Sequence, residues 1–270
     1  MKNGARPATG TIMALATLIC MASVPSAHAQ NGITDAYRGP KEKLQVYLLI
    51  GQSNMAGRSP LGQDDMAVIQ GCYLLNGEDR WEPAKNPLNR YSTVKKENTP
   101  IEMNPGYLFA KTLLEHQQDI SLGLVVNARG NTSIEEWAKG TSLYNEAIRR
   151  TRIAQKAGAL KGILWHQGEN NANDANYLEK LTALIANLRN DLDEPNVPFI
   201  AGQVNGQSPV NDLIAKLPEA MTGTGFVSSV GLTGDIHFDA KSMKLLGQRY
   251  AEVMMKIQLA QQRQRPKSLP

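Results

Sequence analysis

Residues 44–58 read LQVYLLIGQSNMAGR, an apolar run closed by a glycine and a polar turn that carries Ser53 between Gln52 and Asn54. A strand with one wet face alternates apolar and polar residues, whereas a strand covered on both faces is apolar almost throughout, and Val46 to Ile50 is of the second kind. Serine is common in turns, where it usually hydrogen-bonds only its own backbone. Whether Ser53 is a nucleophile therefore depends on what the rest of the chain brings to the end of this strand.

Similar runs recur as LGLVVNA (122–128), GILWH (162–166), PFIAGQV (198–204) and FVSSVGL (226–232). Helical patterns separate them, the clearest being the stripe Leu178, Leu181, Leu184, Ile185, Leu188 and Leu192 at three- and four-residue spacing. Residues 106–116, 143–158 and 239–257 read the same way, with Asp239 placed to cap the last helix. Alternating strands and helices imply right-handed crossovers and a mostly parallel sheet with helices on both faces, hence an α/β fold. Residues 59–105 break the rhythm, being rich in Pro, Asn, Asp and Gly. Two readings of this insertion stand side by side: a binding or lid loop after Ser53, and an edge decoration with a small extra strand.

The first 29 residues have the layout of a signal peptide: Lys2 and Arg6, the apolar stretch Ile12–Met21, and Ala27-His28-Ala29 as cleavage site. The apolar stretch is shorter than the roughly 20 residues that span a bilayer. The expectation is a secreted or periplasmic protein, not membrane-bound after cleavage, with residues 30–270 as a single domain. Loss of Lys2 and Arg6 lowers the formal charge from +4 to +2, and no basic patch points to a nucleic-acid partner. Cys20 leaves with the leader, so Cys72 has no intramolecular disulfide partner and stability must come from a core.

In an open parallel sheet, ligands bind beyond the carboxyl ends of the strands. Polar clusters follow four of the strand-like runs: Ser53, then NARGNTS (127–133), HQGENN (166–171) and GDIHFD (234–239). Serine hydrolysis needs a nucleophile, a base, a carboxylate to orient the base, and donors for the oxyanion. Of four histidines, His28 leaves with the leader and His116 lies near a helix end, leaving His166 and His237 on the rim. His237 has Asp235 two residues before it and is favoured as base, which gives His166 a positioning or structural role.

GQSNMAGR (51–58), ARGNTSIEEW (128–137), WHQGEN (165–170) and DIHFDAKSMKLLGQRYAE (235–252) resemble, in order, the four blocks of the SGNH hydrolases. The similarity is to their carbohydrate-esterase branch, which contains acetylxylan esterases and sialate-O-acetylesterase-like domains. The resemblance implies a three-layer α/β/α sandwich, Ser53 as nucleophile and His237 as base. It also implies an oxyanion hole made by the backbone N–H groups of Ser53 and Gly130 and the side-chain amide of Gln167. Many members place the orienting acid three residues before the histidine, where Gly234 stands here. Asp235 and, from the HQGE block, Glu169 are both candidates, Asp235 first.

Gln52, Asn54, Arg58, Asn131, Trp137 and His166 are the candidate substrate contacts, with Trp81 and Trp137 as possible stacking platforms for a sugar ring and Arg58 as partner for a sugar carboxylate. The G-x-S-x-G elbow of α/β-hydrolases is excluded because GQSNM lacks its last glycine, and GNTS lacks the Gly-Lys pair of a phosphate loop. His166 and Glu169 suggest no third ligand for a zinc site. Acyl transfer to water needs no cofactor or metal. The sequence reads as a serine esterase acting on acetylated carbohydrate; the other readings are an esterase-like carbohydrate-binding module without turnover and an esterase for short-chain non-sugar esters.

Overall fold

The computed structural model describes residues 1–4 and 35–264; the proposed leader beyond residue 4, Cys20 and His28 lie outside the described residues. The body from residue 35 onward holds strands β1 (Leu44–Gly51), β2 (Cys72–Leu75), β3 (Trp81–Pro83), β4 (Ser121–Val126), β5 (Ala159–His166), β6 (Phe199–Gly202) and β7 (Thr224–Val227). Its α-helices are α1 (Ser53–Ala56), α2 (Gly106–His116), α3 (Ser142–Ala157), α4 (Tyr177–Asp191), α5 (Pro209–Ala215), α6 (Leu217–Ala220) and α7 (Ala240–Gln264). The sheet order is β3-β2-β4-β1-β5-β6-β7. Every pairing is parallel except β2 with β3.

β1 is central and its side chains alternate between two cores, as the two-residue period of a strand requires. Leu44, Val46, Leu48 and Ile50 join Leu143, Tyr144 and Ala147 of α3 and Leu181, Leu184 and Leu188 of α4 on one face. Tyr47 and Leu49 join Phe109 and Leu113 of α2 and Met243, Leu246 and Tyr250 of α7 on the other. Each fully buried side chain of this size contributes about 1.5–3 kcal/mol. The helices begin where caps predict: Thr141 Oγ1 accepts from Tyr144 N–H at 3.4 Å and Asp239 Oδ1 from Ser242 N–H at 2.7 Å.

The insertion takes the edge-decoration form. β2 extends the sheet in parallel with β4, and β3 turns back against β2. The fully buried Arg150 of α3 fastens this edge by donating to the carbonyls of Leu75, Asn76 and Tyr91. The run FVSSVGL is shorter as a strand than it reads: β7 stops at Val227, and Val230 is 77% exposed in the turn that follows. Among the described residues no helix is long and apolar enough to cross a membrane.

Candidate active site

The chain leaves β1 toward β2 and β4 on one side, then crosses to β5, β6 and β7 on the other. A crevice opens outside the carboxyl end of the strand where the winding reverses, and here that strand is β1. Gly51 makes the turn possible. Its φ is +133°, and a Cβ there would lie 2.2 Å from the carbonyl oxygen of His166. Gln52 N–H donates to that same carbonyl at 2.8 Å, and Ser53 then opens the single turn of α1.

His237 reaches the crevice on a tight loop before α7. Asp239 N–H donates to Thr233 O at 3.0 Å, and Gly234 bridges to Phe238. Gly234 has φ +131°, and a Cβ there would sit 2.2 Å from the His237 carbonyl oxygen. This explains why glycine occupies the position where many SGNH members carry an acid: the loop closes too tightly for any side chain. The result places His237 Nε2 3.0 Å from Ser53 Oγ. The serine itself is 8% exposed, recessed at the end of β1.

Burial lowers the His237 pKa, the Arg58 guanidinium lowers it further, and Asp235 opposes them. The neutral imidazole, the form that accepts a proton, therefore persists to lower pH than in a free histidine. Arg58 Nη1 is held by the carbonyls of Gly57 and Pro100, both at 2.6 Å. Its other terminal nitrogen lies against Gly130, 2.8 Å from where a Cβ would stand, and that same point is 3.7 Å from Ser53 Cβ. Gly130 and Arg58 thus border Ser53. Removing the charge with Arg58→Met is expected to raise the His237 pKa and move the acidic limb of the kcat/KM profile to higher pH; Asp235→Asn is expected to move it lower. Measuring both profiles over the acidic range checks the two opposite signs.

Several expected roles do not survive the geometry. Gln167 is fully buried, and Nε2 spends both hydrogens, on Thr132 O at 3.1 Å and Asn171 Oδ1 at 2.7 Å. It therefore has no donor left for an oxyanion and instead ties the second rim loop to the third. Trp137 is fully buried, edge-on to Trp165 at 5.5 Å, with its N–H on Thr132 Oγ1. It is a packing anchor, the kind whose truncation costs about 3–5 kcal/mol, and offers no face to a sugar. Trp81 is 2% exposed and packs over Gly123.

His166 is not a substrate contact either. Tyr250 O–H donates to Trp165 O at 2.7 Å, which leaves its oxygen to accept from His166 Nδ1–H at 3.1 Å. Burial pushes the His166 pKa down to about 3, so it stays neutral beneath the site. Asn54, also expected at the substrate, is fully buried. Gln52 is buried too, its Oε1 accepting from Gly168 N–H at 3.5 Å. Asn131 is exposed, with φ +57° and Oδ1 accepting from Asn170 at 3.1 Å, and remains on the open rim.

The two acids have separate surroundings. Asp235 is exposed, and its backbone carbonyl accepts from Asn205 at 2.6 Å. Glu169 is half-buried, its pKa raised by burial, and Oε1 accepts from Asn54 Nδ2 at 2.8 Å. Among the described residues no hydrogen bond joins either carboxylate to the His237 ring. Asp235 reaches it only through its charge. Beside the third loop lies an open depression of about 450 Å³ lined by Glu135, Glu169, Asn170, Asn171, Asp174 and Lys180, among others. Within it Lys180 bridges Glu135 and Asp174 at 2.5 and 2.7 Å.

Residues 43–256 match the family model described as carbohydrate esterase, sialic acid-specific acetylesterase. A probable carbohydrate esterase of Arabidopsis thaliana is 30% identical over 243 residues, which cover 80% of this chain and 89% of that protein. A solved Arabidopsis thaliana structure superposes with a TM-score of 0.71 at 27% identity, covering 78% of this chain and 98% of its own. The NanS structure shares the fold at 14% identity, with a TM-score of 0.65 and coverage of 82% and 99%. So does a carbohydrate acetylesterase from Xanthomonas citri at 22% identity, with a TM-score of 0.58 and coverage of 80% and 57%.

Proposed function

From the premise that the chain belongs to the carbohydrate esterase, sialic acid-specific acetylesterase family, and is thus a carboxylic ester hydrolase, we propose that it removes O-acetyl groups from carbohydrates through an acyl-enzyme on Ser53. The observation that carries this reading is the 3.0 Å contact of Ser53 Oγ with His237 Nε2 at the strand-order reversal. Neutral His237 takes the serine proton as Oγ attacks the acetyl carbonyl, and the backbone N–H groups of Ser53 and Gly130 receive the negative charge that develops on the carbonyl oxygen. The imidazolium returns its proton to the departing sugar oxygen. A water activated by His237 then splits the acetyl-enzyme and releases acetate. Asp235 is the acidic partner in this scheme, acting through its charge to favour the imidazolium.

A sugar is a dense array of hydroxyl groups, each needing donors and acceptors. The depression beside the third loop offers amides, carboxylates and an ammonium in that role. Export through the leader at residues 1–29 would bring the enzyme to extracellular or periplasmic acetylated glycans. The test is acetate release from acetylated xylan, O-acetylated sialic acid, ethyl acetate and 4-nitrophenyl acetate. The expected result is turnover with the highest kcat/KM on an acetylated sugar. Preference for the simple esters would overturn the carbohydrate assignment, and no turnover of any of them would favour a binding module.

A further inference from the structure

Asn54, the residue after the nucleophile, makes contacts that a turn residue does not need. It is fully buried. Its Nδ2 donates to Glu169 Oε1 at 2.8 Å and to Ile236 O at 3.3 Å, and its Oδ1 accepts from Phe238 N–H at 3.2 Å. Ile236 and Phe238 flank His237, so one carboxamide grips the peptide groups on both sides of the catalytic base. Ser59, from the same segment, adds Oγ–H donation to Phe238 O at 2.5 Å. Backbone N–H groups of Glu169 and Gly168 also favour the Glu169 carboxylate, but Asn54 is the side chain that bonds it among the described residues, and this bond reaches Asn54 from the third rim loop.

We propose that Asn54, oriented by Glu169, is a positioning residue that locks the His237 loop onto the Ser53 turn and so sets the serine–histidine distance. The inference rests on the esterase reading above and assigns Glu169 to Asn54 rather than to the imidazole. The loop's own closure, the Gly234–Phe238 bridge with Thr233 Oγ1 on Asp239 Oδ2, fixes its shape but not its place against Ser53. Its tip carries Ile236 at 56% exposure and an exposed acid beside the histidine. Asparagine alone among the small side chains supplies the donor for Glu169 and Ile236 and the acceptor for Phe238 from one planar group. Placing Asn54 directly after Ser53 makes any movement of the nucleophile turn carry the base with it.

The test uses the full chain with 4-nitrophenyl acetate and a serine-directed fluorophosphonate, thermal melting being followed in parallel. Misplacement of a catalytic group by about 1 Å costs roughly 10²-fold, so Asn54→Ala is expected to lose about that factor in kcat, with KM changed by no more than about twofold and phosphonylation slowed in proportion. Added to His237→Ala, the same change is expected to cost no more than about threefold, because the group it positions is gone. Should Asn54→Ala fail to fold, Asn54→Asp serves instead. It keeps the acceptor for Phe238 but opposes the Glu169 carboxylate, and adding Glu169→Gln restores a donor across that contact and is expected to recover about tenfold or more in kcat.

Wild-type kcat in Asn54→Ala, an equal loss in the His237→Ala background, or a further fall on adding Glu169→Gln to Asn54→Asp would each overturn the proposal. Failure of the esterase reading looks different, since it would show as no ester turnover or as Ser53→Ala turning over at the wild-type rate, before any Asn54 variant is measured.

Discussion

Ser53→Ala is expected to fold as the parent does and to lose roughly 10⁴–10⁶-fold in kcat on acetyl esters. The fold should persist because the hydroxyl removes little from the core: Ser53 opens a one-turn helix whose neighbours Asn54, Met55 and Ala56 do the packing. Activity should collapse because alanine leaves no atom to form the acyl bond, whereas the backbone groups around the carbonyl remain and account for any residue of rate over water. Substrate affinity is expected to change little, since the hydroxyl acts on the transition state. A variant with wild-type melting temperature and more than about a tenth of wild-type kcat would remove Ser53 from the chemistry.

The second large effect belongs to His237. His237→Ala is expected to lower kcat on the same scale, because the serine proton then has no acceptor at 3.0 Å. Combining it with Ser53→Ala should cost almost nothing more, since two groups that act as one unit are not additive. The site left by the ring is half-buried and opens toward solvent, so added imidazole is expected to restore part of the rate to His237→Ala and none to Ser53→Ala. Comparable loss in His166→Asn without loss of stability would instead point to the wrong histidine. The structure gives His166 a role beneath the site, neutral and hydrogen-bonded to Tyr250.

What the sequence made legible follows from burial. β1, β4, β5 and β6 are covered on both faces, so their residues are apolar without alternation and stand out from the helices, whose stripes repeat every three or four residues. β2 and β3 have four and three residues. Their place in the sheet comes from pairing, β2 with β4 and β3 with β2, rather than from any pattern of their own, which is why two readings of 59–105 stood open. α5 and α6 are likewise too short for periodicity to show.

The site was legible as residue types and not as partnerships. His237 could be favoured by elimination among the histidines and Ser53 by the resemblance of GQSNMAGR to the family's first block, and 184 positions separate them in the chain. Whether a polar side chain faces substrate or is consumed by protein is decided by distant neighbours. Gln167 gives its amide to Thr132, 35 positions away, and Asn54 gives its carboxamide to Glu169, 115 positions away. Nothing near Gln167 or Asn54 in the sequence reveals those acceptors. Trp137 is similar: a tryptophan beside a polar loop reads as a platform until Trp165 is seen packed against it.

The mechanism turns on Ser53 Oγ carrying the acyl group. The direct measurement is to inactivate the wild-type enzyme with a fluorophosphonate, follow loss of acetyl-ester turnover, and map the adduct by peptide mass spectrometry. One adduct per chain is expected, on Ser53, formed in step with loss of activity and absent from His237→Ala over the same interval. Full turnover with Ser53 modified, or inactivation with the adduct on another residue and Ser53 intact, would contradict it.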